Sequence, residues 1–202
     1  MIKNIIFDMG GVLIDHNPEK TLYAHFDKAL ADTILKEVFR NELWAERDRG
    51  VVTSDEIIAQ KRHLFPDEHF EKINEMVQNF FPYMPPFEDM YDVVKTLKEN
   101  GYGIYLLSNV APEFYREKDN IPALNLFDGF IVSCDYQMVK PEKGLYLALL
   151  EKFSLKAEEC IFIDDVQKNI DGALAVGMDG HCYSHGNVEI LKADLRKKGV
   201  KI

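Results

Sequence analysis

The chain has 202 residues, of which 47% are hydrophobic, and a formal net charge of -10 at pH 7. This composition is sufficient to bury a core and predicts a globular protein. Acidic residues are spread along the whole chain, whereas binding to a nucleic acid backbone depends on clustered Lys and Arg. We therefore expect no nucleic acid partner.

Membrane and metal-thiol classes are also disfavoured. No apolar run approaches the ~20 residues of a membrane span, and no cationic leader precedes the first apolar stretch. The three cysteines, Cys134, Cys160 and Cys182, lie far apart without CxxC spacing. That spacing is typical of buried, reduced thiols rather than of a disulfide framework or a zinc site. We expect a cytoplasmic protein without a membrane partner.

The first half of the chain predicts one strand followed by helices. Residues 2–7 predict a strand that ends in the apolar run 5–7, and Gly10 and Gly11 then permit a tight turn whose peptide N–H groups can point at an anion. From 18 to 81, apolar residues recur at threes and fours, which predicts an all-helical insertion. Three prolines between 81 and 86 end this region, because proline cannot continue a helix.

The second half alternates between helix and strand. The predicted elements are a helix at 87–99, a strand at 102–107, a helix from Pro112, a strand at 129–133, a helix at 142–153, a strand at 160–163, a helix at 166–176, a strand at 180–183 and a helix at 187–197. This order predicts an α/β fold with a doubly wound parallel sheet. The core domain would comprise 1–15 and 84–202, with a helical cap domain at 16–83.

Polar residues follow three of the predicted strands. They are Asp8 after the first, Ser108 and Asn109 after the second, and Asp164 and Asp165 after a later one. In a buried parallel sheet, ligands bind beyond the carboxyl ends of the strands, so these side chains should share one crevice. With the cation Lys140, they make a set suited to a divalent metal and a phosphate. Phosphoryl transfer is the leading hypothesis.

Each of these residues also has a purely structural explanation. A strand-end Asp8 can cap a turn, Ser and Asn are common in turns, and a lone lysine is usually solvated. Asp165 can cap the helix that begins near Val166, which is compatible with metal binding. Asn169, one turn later, could hydrogen-bond the lysine or a metal ligand.

Four segments, in order, carry a resemblance to a known family. FDMGGVLID, LLSN, MVKPEKGLY and FIDDVQKNIDGALAVGM resemble the motifs of the haloacid dehalogenase superfamily, and the helical insertion is similar to the C1 cap of its subfamily IA. The branch most resembled contains small sugar-phosphate phosphatases, of the glucose 1-phosphate type. The resemblance implies a Rossmann-like core and a Mg²⁺-dependent phosphatase. Its substrate would be a small phosphorylated metabolite, with sugar phosphate favoured, hydrolysed through an aspartyl phosphate.

The resemblance also implies roles for individual residues. Asp8 would be the nucleophile and first magnesium ligand, the backbone carbonyl of Gly10 another ligand, and Asp165 a direct ligand. Asp164 would be a further ligand or a group behind the ligands.

The remaining roles concern the phosphoryl group. Ser108 and Asn109 would hold its oxygens together with the Gly10-Gly11 turn, Lys140 would neutralise charge, and Asn169 would orient the groups around it.

Position 10 departs from the majority pattern of the family, which has an aspartate two residues after the nucleophile. That aspartate protonates the leaving group and later activates water, and its loss costs about 10²–10⁴-fold in rate. Three replacements are open: a good leaving group such as an anomeric oxygen, a nearby Asp15 or His16, or the substrate with its own water. Asp15 and His16 lie where the chain enters the cap, where a hinge turn with an Asp cap before the next helix is an equal alternative.

In the cap, Trp44, Arg47 and Arg49 lie where family members place substrate-contacting residues. An aromatic ring beside guanidinium groups suits a phosphorylated or polar ring. The alternative, which we favour, is that Trp44 belongs to the cap core and that the arginines pair with Glu46 and Asp48.

Two other functions remain open. Gly10 is compatible with a catalytically idle phosphate-binding or regulatory protein of the same fold. A metal-free 2-haloacid dehalogenase would use Asp8 to displace halide, but it does not need the pair Asp164 and Asp165. We expect a monomer, with a dimer as the alternative.

Overall fold

A five-stranded parallel sheet lies at the centre of the computed structural model, which describes residues 1–202. The strands are β1 (Asn4–Phe7), β2 (Gly103–Ser108), β3 (Gly129–Val132), β4 (Cys160–Asp164) and β5 (Asp179–Cys182), arranged in the order β3-β2-β1-β4-β5. The predicted α/β fold with a parallel sheet and a helical insertion after the first strand is confirmed.

The central strand is β1, because its side chains are apolar on both faces. Ile5, Ile6 and Phe7 are fully buried, as expected for a strand covered by helices on each side. Phe7 lies opposite Leu106 of β2 and Ile163 of β4. The residues that follow these three positions therefore lie together at the edge of the sheet formed by the carboxyl ends of its strands.

Five α-helices make up the insertion that follows β1. They are α1 (Pro18–His25), α2 (Lys28–Ile34), α3 (Glu42–Asp48), α4 (Ser54–Lys61) and α5 (Asp67–Gln78). Their apolar faces form one cluster of 14 buried residues, all between Leu22 and Phe80. In α5 the buried positions Ile73, Met76 and Val77 repeat at threes and fours, as the amphipathic pattern predicts.

Six helices follow in the second half. They are α6 (Glu88–Glu99), α7 (Phe114–Glu117), α8 (Ser133–Tyr136), α9 (Lys143–Lys152), α10 (Gln167–Leu174) and α11 (Val188–Lys197). Side chains of α6 and α11 share a buried cluster with Ile5 and Phe7, whereas those of α9 and α10 pack with Ile6. The sheet is thus doubly wound, because successive strand residues point to opposite faces. No helix combines the length and the apolar character needed to cross a membrane.

Two expectations fail in detail. The helix predicted from Pro112 is only the four-residue α7, followed by 3₁₀ turns, because Pro122 disfavours a helical conformation in the residue before it. The cysteines are not all buried: Cys160 is buried, Cys134 is half-buried and Cys182 is exposed. Cys182 ends β5, an edge strand, where one side of the sheet has no neighbour.

The two connections between the helical insertion and the core run side by side. The Asp15 N–H donates to the Pro85 carbonyl at 2.9 Å, and the Phe87 N–H donates to the Leu13 carbonyl at 2.9 Å. We propose 16–83 as the cap domain on this basis.

We expect Ile6→Ala to lower the free energy of unfolding by about 2–5 kcal/mol, because it opens a cavity in the central strand. Ile190→Ala is the matched control: Ile190 is 61% exposed, so its truncation should change stability by no more than about 0.5 kcal/mol. Urea unfolding measures both. Equal effects would contradict the central position of β1.

Candidate active site

The Lys140 ammonium joins two of the strand-end carboxylates. Its Nζ lies 2.8 Å from Asp8 Oδ1 and 2.7 Å from Asp164 Oδ2, and the lysine side chain is 1% exposed. Burial alone would lower the pKa of Lys140, but the two carboxylates outweigh it and raise the pKa above its ordinary value. Lys140 is therefore charged at neutral pH.

Asp165 lies beside this pair. Oxygen atoms of Asp8, Asp164 and Asp165 all fall within 4.8 Å of one another. Burial raises the pKa of Asp8 to about 7, against the lowering effect of Lys140. Burial and the neighbouring Asp164 also raise the pKa of Asp165. Three carboxylates face one ammonium, so the cluster favours a further cation, and its hard oxygen donors fit Mg²⁺.

Asp164 holds the cluster together and is fully buried. Its Oδ1 accepts the Val166 N–H at 2.8 Å, and the Asn169 amide donates to its two oxygens at 3.0 and 3.1 Å. The turn before α10 is therefore capped by Asp164, which corrects the interpretation that Asp165 caps it. Asn169 was expected to hydrogen-bond either Lys140 or a metal ligand, and in the structure it bonds the carboxylate of Asp164.

Gly11 makes room for Asp165. Its φ is +71°, in the left-handed region, and a Cβ atom there would lie 2.4 Å from Asp165 Oδ2. At Gly10 a Cβ atom would lie 3.2 Å from the Cβ of His16 and 3.7 Å from its Nδ1. The His16 ring therefore stands where a side chain of residue 10 would project.

Ser108 and Asn109 have different roles. Ser108 is 2% exposed, lines the cavity and makes no side-chain hydrogen bond within the protein. Asn109 is engaged with the lysine backbone: its Oδ1 accepts the Lys140 N–H at 2.7 Å and its Nδ2 donates to the Lys140 carbonyl at 3.3 Å. The Asn109 side chain thus positions Lys140, and its contact with a phosphoryl oxygen stays a prediction.

Of the pair Asp15 and His16 at the entry to the cap, His16 lines the cavity and Asp15 does not. Asp15 accepts from Lys20 Nζ at 3.1 Å, and α1 is capped by Asn17, whose side chain accepts the Lys20 N–H at 3.0 Å. Asp15 is therefore not the helix cap considered from the sequence. The protein around His16 desolvates its ring and lowers its pKa.

The cap covers the carboxylate cluster and leaves a cavity of about 280 Å³. Trp44 lines it and also packs on the cap core, and the Arg47 guanidinium lies 4.4 Å from the centre of its ring. Arg47 Nε donates to Ser54 Oγ at 2.8 Å, and Nη2 lies 3.2 Å from Glu113 Oε2 of the core. Arg47 is thus held by protein partners.

Arg49 does not line the cavity. Its Nε lies 3.1 Å from Glu46 Oε1, its Nη2 pairs with Glu142, and its Nη1 donates to the Gln137 carbonyl at 3.2 Å. The pairing of Arg49 with Glu46 agrees with the structural alternative, and the substrate contact of Arg49 stays a prediction that these pairings do not favour.

Among the cavity residues that sequence reasoning missed are Phe39, Asp48 and Phe80. The aromatic pair follows the helical period of the cap, so its pattern is that of core residues. Asp48 was considered only as a partner of the arginines; its carboxylate lies 3.7 Å from Arg47 Nη1 and accepts no hydrogen bond. Burial raises the pKa of Asp48 to about 7.

Comparisons with known proteins point in one direction. A family model described as a haloacid dehalogenase-like hydrolase matches residues 2–177. A sesquiterpene phosphatase from Aspergillus oryzae is 30% identical over 179 residues, which cover 88% of each chain. A D-ribitol-5-phosphate phosphatase from Bacteroides thetaiotaomicron is 27% identical over 89% of this chain and 90% of that protein.

Solved structures show the same fold. A HAD-like family hydrolase from Porphyromonas gingivalis superposes with a TM-score of 0.72 at 21% identity, covering 97% of this chain and 98% of that one. An enzyme of the same family from Bacteroides thetaiotaomicron, solved with magnesium and inorganic phosphate, gives a TM-score of 0.69 at 21% identity, covering 93% and 96%.

The raised pKa of Asp48 predicts a pH-dependent stability. Its folded value of about 7 exceeds its ordinary value of 3.8, so its contribution is fully present below about pH 4 and is lost as pH rises through 7. Asp48→Asn cannot ionise and should raise Tm at pH 8 relative to wild type, by on the order of 5 °C. The gain should vanish near pH 4.

Glu71→Gln is the matched control, since Glu71 is exposed on α5 and makes no ion pair. Its Tm difference from wild type should not change with pH. Thermal unfolding of the three proteins from pH 4 to 8 measures these shifts. A pH-independent effect of Asp48→Asn would show that burial does not penalise this carboxylate.

Proposed function

The chain belongs to the haloacid dehalogenase-like hydrolase family, and from this premise we propose that it is a magnesium-dependent phosphatase acting through an aspartyl phosphate. The enzyme is a phosphoric monoester hydrolase of a small phosphorylated metabolite. The observation that carries the proposal is Lys140 Nζ between Asp8 and Asp164, with Asp165 beside them.

Asp8 supplies the nucleophile. Its carboxylate oxygen forms a bond to phosphorus while the bond from phosphorus to the leaving oxygen breaks, and water then cleaves the aspartyl phosphate to release inorganic phosphate. The Lys140 ammonium and the Ser108 hydroxyl, both at the cavity floor, stabilise negative charge on the phosphoryl oxygens. Such fixed donors need no reorganisation as charge develops.

The donor set indicates which residues would hold magnesium. Asp8, Asp165 and the backbone carbonyl of Gly10 are the direct ligands in this proposal. Asp164 supports them from behind, because Lys140, the Val166 N–H and Asn169 already occupy its oxygens. Bound Mg²⁺ neutralises charge on the phosphoryl group and on the carboxylates.

The proton for the leaving group has no donor at position 10. The His16 ring stands in the corresponding space, whereas Asp15 is paired with Lys20 outside the cavity. His16, the substrate with its water, and a leaving group that needs little protonation are the three sources compatible with this arrangement.

The relatives of this chain are named for a wider range of substrates than the sugar phosphates favoured by the resemblance. The two relatives described above are named for a sesquiterpene and for D-ribitol 5-phosphate, which are an apolar and a polyol group. Glucose 1-phosphate therefore stays a prediction, and the cavity of this chain must decide the class.

The dehalogenase alternative is less well supported. The chain resembles an L-2-haloacid dehalogenase from Xanthobacter autotrophicus in fold, with a TM-score of 0.70 at 19% identity. Displacement of halide needs no cluster of three carboxylates, whereas Asp8, Asp164 and Asp165 form one.

We expect Asp8→Asn to lower magnesium-dependent phosphate release from p-nitrophenyl phosphate by at least about 10³-fold, because the amide cannot form the acyl phosphate. Glu71→Gln, the same chemical change on the cap surface, should retain wild-type release. Colorimetric assays with and without magnesium measure both. Wild-type protein that binds magnesium and phosphate but releases none from a broad panel would instead support the idle binding protein.

We expect Asp165→Asn to weaken magnesium binding by about tenfold or more, because a direct ligand loses its charge. The measurement is the rise in Tm with magnesium concentration, which reports binding without turnover. Glu71→Gln should shift as wild type does. An unchanged magnesium dependence in Asp165→Asn would remove this residue from the proposed ligand set.

A further inference from the structure

We propose that the organic group of the substrate is apolar and that an aromatic wall of the cap, made by Phe39, Trp44 and Phe80, receives it. The inference rests on the proposed function, since it assigns the leaving group of the same reaction. It favours an apolar group over the sugar expected from the resemblance.

The three rings are packed in a continuous row. The ring centroids of Phe39 and Trp44 are 4.5 Å apart, and those of Phe39 and Phe80 are 4.9 Å apart. The row continues to the His16 ring, whose centroid lies 6.2 Å from that of Phe80. All four residues line the cavity that contains Asp8.

The wall is more than the inner packing of the cap. Phe39 and Trp44 pack against the buried cap cluster, yet both are only half-buried. Phe39 ends a π-helical turn, Leu35–Phe39, a distortion that is frequent at functional sites. Phe80 is itself a buried member of the cap cluster that also lines the cavity. The three rings therefore contact the cap core on one side and the cavity on the other.

The cavity divides by polarity. Its floor holds the carboxylates, Ser108 and Lys140, which suit the phosphoryl group. Nine of the twenty lining residues are hydrophobic, and besides the three rings they include Met84 and Ile14 from the two connections between cap and core. The lining that comes from the cap and its two connections contains six apolar residues, whereas its charged or titratable members are His16, Arg47 and Asp48. This part of the cavity is therefore mainly apolar, and it is the place left for the leaving group.

The cap offers few free polar groups to a polyol. Arg47 is already engaged by Ser54, Glu113 and the Trp44 face. Of the polar cap residues that line the cavity, this leaves Asp48 and His16, whose side chains make no hydrogen bond within the protein. A sugar with several hydroxyls would leave some of them without a partner after losing water, which is costly, whereas an apolar group gains from its removal from water.

The test compares cyclohexylmethyl phosphate with glucose 6-phosphate. Each compound releases a primary alcohol attached to a six-membered ring, so the two match in the type of bond that breaks and in the size of the ring. They differ in the ring hydroxyl groups, which only glucose 6-phosphate carries. We expect kcat/KM to be about 10-fold to 100-fold higher for cyclohexylmethyl phosphate. The difference should lie mainly in KM, because the wall binds ground state and transition state alike.

Variants locate the preference. Trp44→Ala should lower kcat/KM for cyclohexylmethyl phosphate by about tenfold and leave glucose 6-phosphate within about twofold, while Trp44→Phe should restore most of the preference. Leu43→Ala is the matched control, because Leu43 neighbours Trp44 on α3 and packs on the cap cluster outside the cavity. It should leave the ratio of the two substrates unchanged, even where it lowers stability.

The outcomes separate this inference from the proposed function. Release from p-nitrophenyl phosphate that needs Asp8, together with equal or better use of glucose 6-phosphate, would overturn the apolar class and leave the phosphatase intact. If no phosphate is released from any compound, the rise in Tm of Asp8→Asn protein with each phosphate still tests the wall. Stronger stabilisation by glucose 6-phosphate would again overturn it.

Discussion

The buried ammonium of Lys140 is the interaction on which the site depends. A charge at this depth is tolerated only when it is paired and hydrogen-bonded, and its partners are Asp8 and Asp164. Asp8 follows β1 and Asp164 ends β4, and these two strands are adjacent. Asn109, just after β2, fixes the lysine backbone from the other side. One cation thus requires four separate segments of chain to meet at one edge of the sheet.

The charge balance at that edge leads from packing to chemistry. Lys140 offsets only part of the negative charge of three carboxylates, so the cluster has affinity for a metal ion, and the metal with the lysine attracts a phosphate. Gly11 lets Asp165 approach so closely that no side chain fits between them. Asp164, with all its partners within the protein, holds the others in place. Hydrogen bonds within the protein occupy Asp164, whereas the Asp165 carboxylate makes none and is available to a metal ion.

One segment of the cap contacts the core at four successive residues. In this segment, residues 47–50, Arg47 pairs with Glu113, and the Asp48 carbonyl accepts a hydrogen bond from Ser133 Oγ. Arg49 pairs with Glu142, and Gly50 lies so close to the core that a Cβ atom there would be 2.9 Å from the Cys134 carbonyl oxygen. The arginines are therefore used in docking the cap. Because their charges are neutralised there, the wall that faces the phosphoryl site presents rings, and the leaving group meets an apolar surface.

The sequence by itself determined the alternation of strands and helices, the helical insertion, and the convergence of Asp8, Ser108, Lys140 and the pair at 164 and 165, since apolar period and strand ends are local properties. It could not decide which aspartate supports and which faces the cavity, that Asn109 holds Lys140, or that Arg49 points to Glu142 instead of a ligand. It also read the aromatic wall as core, because a ring at a helical period looks the same whether its other face meets a helix or a cavity. Only the tertiary structure decided these points, since they depend on which side chains from distant segments of the chain are in contact.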